Sequence, residues 1–418
     1  MKPRLAVVGT GIAGMATAYF LRESYDLTVL EKNDYVGGHT NTVRVHDGAE
    51  ERPVDTGFMV FNESTYPNLL KLFAKLEVPY HDTDMSFTVA DVNRNFEFNG
   101  CNLDGVFAQR RNALSPRFLR MLVDILRFGR GVQRYLADGA FESMTIGELI
   151  RAEGLGEGFT HDYLLPMTAA VWSTPHEVML DYPAKPLVRF LFNHGLTGVN
   201  TQHQWKTVDG GSETYKQKLI ASFRDRIRTK NRVVRAEKNA TGKARLTYQD
   251  GSTADFDLVV FASHPDESLA ALAAPTALQQ KVLGAFRYQE NQAWLHTDST
   301  VMPRLRKNWS SWCQMKRDEE RFTVYYMNRL QPVSQRRDFF ININGTRFVD
   351  EAKVLRKITY HHPIFDLAAY RAQQHVPALN AEDSPFRFVG AWQRYGFHED
   401  GLLSSVQLCE RLLGRAVL

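Results

Sequence analysis

Cysteine is scarce in this chain, and its three cysteines form no recognisable pattern. Cys101, Cys313 and Cys409 are the only ones among 418 residues, and none stands in a CxxC or other metal-ligand spacing. A disulfide framework and a structural zinc site are therefore excluded, and we expect a reduced intracellular protein that binds no metal. At about 150 residues per domain, the length predicts two or three domains with an ample core.

Long hydrophobic runs and a strong charge of one sign are also missing. No stretch reaches the roughly 18 apolar residues that a membrane-spanning helix requires, and the first residues lack the layout of a signal peptide. We therefore expect a cytoplasmic protein whose contact with the inner membrane is at most peripheral. The 51 basic residues exceed the 47 acidic ones by only four, which argues against general nucleic-acid binding.

The sequence does contain a glycine-rich loop between a predicted strand and a predicted helix. Gly9, Gly11 and Gly14 follow an apolar β-branched run, and Glu31 ends the next apolar run. This βαβ pattern is typical of dinucleotide sites, where the glycines admit a pyrophosphate to the helix N-terminus and the acid accepts hydrogen bonds from ribose. An acid at Glu31 disfavours a ribose 2′-phosphate, so we expect a dinucleotide other than NADP.

The residues after Glu31 indicate which dinucleotide is bound. Gly37 and Gly38, followed by His39 and Thr40, resemble the second glycine pair of the flavin-containing amine oxidase and phytoene desaturase superfamily, which lies against the FAD pyrophosphate. The superfamily usually has arginine or lysine where this chain has His39, so a titratable group replaces a fixed positive charge. The resemblance implies FAD as the cofactor.

Later segments resemble the same superfamily in the same order. Residues 54–62 are similar to the segment that returns to the flavin, and residues 231–237 to the β-meander under the adenine. Near the C-terminus, one glycine matches that beside the ribityl chain, and another is expected to open a helix whose N-terminus faces the flavin pyrimidine. The resemblance assigns to the cofactor, in these segments, Gly57, Phe58, Met59, Val233, Gly390, Ala391, Gly401 and Leu402.

The resemblance also implies the architecture. It predicts an α/β protein with a Rossmann-like FAD-binding domain of the glutathione-reductase type and an inserted α+β substrate domain. We expect the FAD-binding domain to be discontinuous, comprising residues 1–80, 205–290 and 383–418, and the substrate domain to comprise residues 81–204 and 291–382. Non-covalent binding of FAD is expected, because Cys409 falls on the far side of the turn that opens the last helix.

Five side chains are candidates for the catalytic site, each with a structural role as the alternative. Trp392, Tyr395 and His398 belong to the C-terminal motif that faces the flavin, and Trp172 and Tyr326 belong to the inserted domain. His398, or a water molecule, is the candidate base. In amine oxidases a tyrosine of the amine-guiding cage stands where this chain has His398, so an amine substrate is disfavoured.

Three further histidine positions are interpreted as structural. His194 and His296 are predicted to be core or hydrogen-bonded residues of the inserted domain. The pair His361-His362 precedes a proline and has no third ligand at metal spacing, so we predict a loop there.

Residues 115–136 form the clearest amphipathic helix pattern. A serine and a proline begin it, and apolar residues recur on one side while arginines occupy the other. One interpretation is a surface helix with a solvated basic face. The other is a segment that docks on anionic lipid and suits a lipid-borne substrate, through Arg117, Arg120, Arg127, Arg130 and Arg134.

The whole chain resembles a bacterial branch of the superfamily that is associated with modification of membrane acyl chains. This resemblance implies an FAD-dependent oxidoreductase that desaturates a methyl-branched unsaturated fatty acyl group on the way to furan fatty acids. A hydride would pass from an allylic carbon to flavin N5, leaving a conjugated diene. Two alternatives remain: oxidation of an amine or a small cyclic metabolite, and a non-catalytic flavin-binding partner of a lipid methyltransferase.

Overall fold

A parallel sheet brings together segments from both ends and the middle of the chain. In the computed structural model, which describes residues 1–172, 176–198, 202–381 and 383–418, all four neighbouring pairs in this sheet are parallel. The apolar runs that predicted strands lie at its centre, since short β-branched segments suit a sheet that is covered on both faces. Its five strands are, in spatial order, Ile227–Arg228, Asp26–Leu30, Arg4–Val8, Leu258–Phe261 and Phe386–Phe388.

The helix Ile12–Leu21 crosses from the first to the second strand of this sheet, and all ten of its residues are buried. It lies between the parallel sheet and the last helix, His398–Leu413. Ser405 Oγ of that helix donates to the Ala13 carbonyl at 2.7 Å. A helix that is covered on every side needs no polar face, which explains why nearly all of its residues are apolar.

A second sheet, of seven strands, is built mostly from the inserted segments. Its only parallel pair among the described residues joins Phe87–Asp91 to Trp312–Arg317, so the two insertions form one layer. The spatial order is Val354–Ile364, Arg287–His296, Phe340–Ile343, Glu320–Tyr326, Trp312–Arg317, Phe87–Asp91 and Phe96–Asn99.

Two of the predicted domain boundaries fall inside strands. Residue 290 lies within Arg287–His296, which pairs along its whole length with Val354–Ile364. Residue 80 begins Tyr80–Thr83, which pairs with Trp205–Val208. A strand cannot be divided between two domains without losing its ladder, so these boundaries belong near residues 286 and 84.

Helices cover one end of the seven-stranded sheet. The longest, Pro116–Ala137, has Ser115 as its N-cap, and the Ser115 hydroxyl accepts from the Phe118 N–H. In the described part of the chain, no helix is long and apolar enough to span a bilayer. The other helices of this region are Leu103–Val106, Ile146–Ala152, Glu157–Phe159, the π-helical turn Thr160–Leu164, Leu165–Trp172, His176–Met179 and Ala184–Asn193.

The remaining elements surround the parallel sheet or connect the two layers. The strands form an antiparallel meander, a hairpin and a three-stranded sheet that includes Trp205–Val208 and Tyr80–Thr83: Val233–Lys238, Ala244–Tyr248, Thr253–Phe256, Thr42–Asp47, Glu50–Asp55 and Phe61–Asn62. The helices are Pro67–Leu76, Glu213–Ile220, Pro265–Ala271, Ala277–Leu283, Met327–Leu330, Leu367–Gln373 and Val376–Leu379.

The buried carboxylate of Asp55 joins the two layers beside the cavity that is described below. Asp55 accepts from the Ser212 N–H at 2.8 Å and from the Ser212 hydroxyl at 2.7 Å. It also accepts from Gln331 Nε2 of the inserted region at 2.6 Å. A buried carboxylate is costly unless its oxygens accept hydrogen bonds, so this network holds Asp55 in place two residues before the segment 57–60.

Candidate functional site

The loop after the first strand leaves free space in front of the first helix. Gly9 has φ of +104°, a left-handed backbone that favours glycine, and a Cβ on Gly14 would lie 1.9 Å from the Gly9 carbonyl oxygen. By contrast, a Cβ on Gly11 would meet nothing within 4 Å. The helix that begins at Ile12 has no side-chain cap, so its first N–H groups and its positive dipole end face this space.

Glu31 stands at the end of the second strand and organises the same loop. Its carboxylate accepts hydrogen bonds from the Thr10 N–H at 3.1 Å, from the Thr10 hydroxyl and from the Asn33 N–H at 2.9 Å. The side chain is buried and lines the cavity described below. Glu31 therefore holds the glycine loop in shape in addition to its predicted role toward a ribose.

The second glycine pair lies directly against the first loop. A Cβ on Gly38 would lie 3.2 Å from Gly11 Cα, and the His39 ring that follows stacks on Tyr360 with centroids 4.7 Å apart. His39 Nε2 is buried and makes no hydrogen bond within the described residues. Burial lowers the pKa of His39 to about 4, with the nearby charge of His361 as a smaller cause. An unpartnered imidazole nitrogen beside an open helix N-terminus fits an anionic ligand such as a pyrophosphate.

Three more histidines line the same wall. Burial lowers the pKa of His264 to about 4 and that of His362 to about 3. The predicted loop at His361-His362 is wrong: both residues lie in the strand Val354–Ile364, where they pair with Glu290 and Gln289. A local apolar pattern did not reveal this edge strand because five of its eleven residues are exposed and only one is buried. In the part of the chain that the structure describes, no three metal-binding side chains cluster.

Residues 57–60 pass along the middle of the cavity. The Phe58 N–H donates to the His39 carbonyl at 2.8 Å, so the segment is held against the second glycine pair. Phe58, Met59 and Val60 all line the cavity. The Phe58 ring stacks on the His398 imidazole with centroids 3.8 Å apart and planes 11° apart.

His398 is fixed from two sides. Its Nε2 lies 2.8 Å from the Tyr215 hydroxyl and 3.1 Å from the Thr40 hydroxyl, and these two hydroxyls also bond each other. Burial lowers the pKa of His398 to about 3, so the ring is neutral at physiological pH. Thr40 does not line the cavity, so it acts on the site by holding His398 in place.

The last helix begins earlier than expected. It starts at His398, and the Asp400 carboxylate accepts from the Phe397 N–H at 3.0 Å and the Tyr395 N–H at 3.2 Å, closing the first turn. The prediction that Gly401 and Leu402 open this helix is therefore wrong, because the Gly401 N–H is already bonded to the Phe397 carbonyl. Gly401 instead packs against Ile12, where a Cβ would lie 2.9 Å from Cγ2.

One cavity of about 900 Å³ runs from the glycine loop to the seven-stranded sheet. Its dinucleotide end includes Val233, as predicted for the adenine contact, and Gly390 with Ala391 farther along. Among the described residues, the Asp, Glu, Lys and Arg side chains that line it lie at that end: Glu31, Lys32, Arg232, Asp266 and Glu267. The opposite end is lined by Met85, Phe87, Met167, Val171, Phe190, His194, Leu196, Trp312 and Tyr325.

Only two of the five catalytic candidates reach this cavity. His398 and Trp392 line it, and the Trp392 ring also packs against Phe286. Trp172 and Tyr395 do not line it: Trp172 Nε1 donates to the Tyr395 carbonyl at 3.0 Å, so the pair forms part of the wall's support.

Tyr326, the fifth catalytic candidate, does not line the cavity either. Its hydroxyl donates to Asp338 at 2.6 Å, and its ring stacks on Phe340 in a separate core cluster. Because neighbouring residues of a strand point to opposite faces, Tyr325 rather than Tyr326 faces the cavity. His194, which the sequence predicted to be a core or hydrogen-bonded residue, is buried and bonded to the Phe190 carbonyl, and it also lines the cavity.

Comparison with known proteins identifies the class. Chains of the same fold include cyclohexylamine oxidase from Brevibacterium oxydans IH-35A, with 16% identity, 99% and 100% coverage of the two chains and a TM-score of 0.68. Putrescine oxidase bound to putrescine matches at 13% identity, 99% and 100% coverage and a TM-score of 0.69. A CLA-producing fatty acid isomerase from P. acnes matches at 14% identity, 98% and 98% coverage and a TM-score of 0.69.

The fold and the site define an FAD-dependent oxidoreductase. A sequence profile of the flavin containing amine oxidoreductase family matches residues 12–312, so the chain belongs to that family. A search of curated protein sequences found no significant match. The family's cofactor is FAD, and the open space at Gly11, the uncapped helix and the unpartnered His39 Nε2 fit its pyrophosphate.

Proposed function

We propose that this protein is a desaturase of lipid acyl chains. Its proposed substrate is a methyl-branched unsaturated fatty acyl group of a membrane phospholipid, and its product is a conjugated diene. The observation that carries the proposal is the lining of the substrate end of the cavity, where the described residues include no Asp, Glu, Lys or Arg.

An uncharged wall suits an acyl chain and does not suit an ammonium ion. A buried cation requires a carboxylate or a closely packed aromatic cage, and the position of the cage tyrosine is taken by His398, whose Phe58 stack fills one side. An acyl chain gains about 25 cal/mol per Å² of apolar surface that it buries against Met167, Val171 and Phe190. The fatty acid isomerase of the same fold supports the idea that this architecture accommodates such chains.

When bound, FAD supplies the two-electron acceptor for a hydride from the allylic carbon, with dioxygen or a quinone as the terminal oxidant. The second hydrogen leaves the vinylogous carbon as a proton, so the cavity must provide a base. Two neutral histidines line the cavity near its middle and its apolar end, His398 and His194.

His194 has the better-defined lone pair. Its Nδ1 is 2.9 Å from the Phe190 carbonyl oxygen, which can only accept, so Nδ1 carries the proton and Nε2 is free to take one. Among the described residues, this bond is the one hydrogen bond found for the His194 ring, and it engages Nδ1. Burial lowers the pKa of His194 to about 4, which keeps the ring unprotonated at physiological pH. We therefore assign to His194 the role of the base that takes the substrate proton. His398 is given a positioning role toward Phe58.

The test is the visible spectrum of the purified protein under anaerobic conditions. Flavin bleaching by phospholipid with methyl-branched unsaturated chains, together with the ultraviolet absorption of a diene, is expected. Cyclohexylamine and putrescine are expected to leave the flavin oxidised. Bleaching by the amines alone would assign the protein to the amine oxidases, and a flavin that neither substrate bleaches would support the non-catalytic alternative; either result overturns the proposal.

A further inference from the structure

Exposed apolar side chains concentrate on one surface of the inserted region. Leu119, Val123 and Leu126 of the helix Pro116–Ala137 are 43%, 52% and 46% exposed, and Leu114, just before the helix, is 85% exposed. Residues three and four apart share one face of a helix, so these side chains form a continuous row, called the leucine stripe here. Four of the twelve large exposed apolar residues among the described part of the chain lie in this short run.

Four arginines of this helix form ion pairs with carboxylates. Arg120 and Arg127 both pair with the fully buried Asp124, and Arg117 and Arg134 pair with Asp162 and Glu153. These pairs hold the helix on its neighbours, while the arginine side chains stay 44–57% exposed. Lipid docking through Arg117, Arg120, Arg127, Arg130 and Arg134 stays a prediction.

Positive charge nevertheless borders the leucine stripe. Two arginines share the single carboxylate of Asp124, which leaves one charge uncompensated. Arg130, four residues after Leu126, continues the stripe and is exposed, and the described residues give it no ion-pair partner. An apolar row bordered by guanidiniums is complementary to a surface that is apolar beneath an anionic layer.

The helix also lies next to the substrate end of the cavity. It packs on the helix Ala184–Asn193, whose Phe190 lines the cavity. On its inner side, a Cβ on Gly129 would lie 2.2 Å from the Thr197 carbonyl oxygen, and Leu196 beside it lines the cavity. One layer of side chains therefore separates the leucine stripe's helix from the proposed acyl site.

We propose that the leucine stripe docks this protein on an anionic phospholipid bilayer. Leu114, Leu119, Val123 and Leu126 enter the boundary between headgroups and acyl chains, and Arg130 contacts lipid phosphate. This placement brings the substrate end of the cavity close to lipid, and the inference rests on the proposed function for its purpose.

The test is flotation of the full holoprotein with vesicles of phosphatidylcholine, with and without phosphatidylglycerol. The variant Leu119→Ser/Val123→Ser/Leu126→Ser is expected to weaken binding by roughly tenfold or more, because it removes the apolar side chains that insert. The control Val92→Ser/Leu355→Ser changes two comparably exposed apolar residues elsewhere, outside the cavity, and should bind as wild type. Arg130→Glu should weaken binding only to vesicles that contain phosphatidylglycerol.

Three outcomes overturn the inference. The first is binding by the triple stripe variant that equals wild type, and the second is no binding of wild type to either vesicle. The third is light scattering that shows a dimer lost in the stripe variant, which would make the stripe a contact between copies of this chain. Because flotation needs no turnover, failure of the desaturase proposal would show as an unbleached flavin on vesicles that still carry the protein.

Discussion

The imidazole of His194 lies over the ring of Phe190, with centroids 3.9 Å apart, while its Nδ1 lies 2.9 Å from the Phe190 carbonyl oxygen. One residue thus sets both the orientation and the protonated nitrogen of the other. The arrangement places an unprotonated Nε2 at the wall of an apolar cavity, which is the requirement for a base.

Replacement of His194 tests this role. His194→Gln is expected to slow anaerobic flavin reduction by the lipid roughly hundredfold while the spectrum of the oxidised flavin stays unchanged. In wild type, the lowered pKa of about 4 predicts a reduction rate that is flat through neutral pH and falls only near that value. His46→Gln, at an exposed strand position, is the control. A rate that falls near the ordinary histidine pKa, or a variant with wild-type rate, would contradict the assignment.

Substitution of Gly11 by alanine tests the cofactor site without disturbing the fold. Its backbone is extended and a Cβ there meets no protein atom within 4 Å, so Gly11→Ala should unfold at the wild-type temperature. The new methyl occupies space expected for the pyrophosphate, and FAD affinity should fall about tenfold or more. Fluorescence titration of flavin-free protein measures the affinity. Gly100→Ala, also in open space but away from the cavity, is expected to bind FAD normally.

Asp124 is expected to be the main anchor of the helix Pro116–Ala137. Burial alone would raise its pKa, but the Gly156 N–H and the guanidiniums of Arg120 and Arg127 hold the pKa below the ordinary value. Asp124→Asn removes the charge that pairs with both arginines, and we expect the free energy of unfolding to fall by about 2 kcal/mol.

Urea unfolding measures this change, and Arg130→Gln is the control for loss of one charge on the same helix. It should alter the free energy of unfolding by less than about 0.5 kcal/mol. Equal effects of the two variants would show that Asp124 does not anchor the helix.

The buried histidines that line the cofactor end of the cavity predict a pH dependence of stability in flavin-free protein. The pKa values of His39, His264 and His362 are lowered to about 4, 4 and 3, chiefly by burial. Between those values and about 6.5 the unfolded chain binds more protons than the folded one, so acidification through this window destabilises the fold. Each histidine contributes up to about 1.4 kcal/mol per pH unit below its unfolded pKa.

Urea unfolding on both sides of the ordinary histidine pKa checks this prediction. His362→Gln should flatten the dependence, whereas His46→Gln should not. Saturating FAD should also flatten it, because a pyrophosphate beside the wall favours the protonated rings. If the free energy of unfolding of the flavin-free protein does not decrease as the pH is lowered, these histidines are not buried as neutral groups.

The sequence by itself determined the cofactor half of the molecule. Spacing of Gly9, Gly11, Gly14 and Glu31 is a local property of one βαβ unit, and the family resemblance placed the other cofactor segments in order. The parallel sheet, the fold class and FAD follow from such local signals.

Only the tertiary structure decided the substrate half. Tyr325 rather than Tyr326 faces the cavity, and His194, His361 and His362 reach its wall, because strand register and helix packing set which side chains converge there. The same packing paired the helix arginines with Asp124, Asp162 and Glu153, and left Leu119, Val123 and Leu126 outside. Partners such as Asp124 and Gly156 meet through long-range contacts, which no local periodicity in a single sequence encodes.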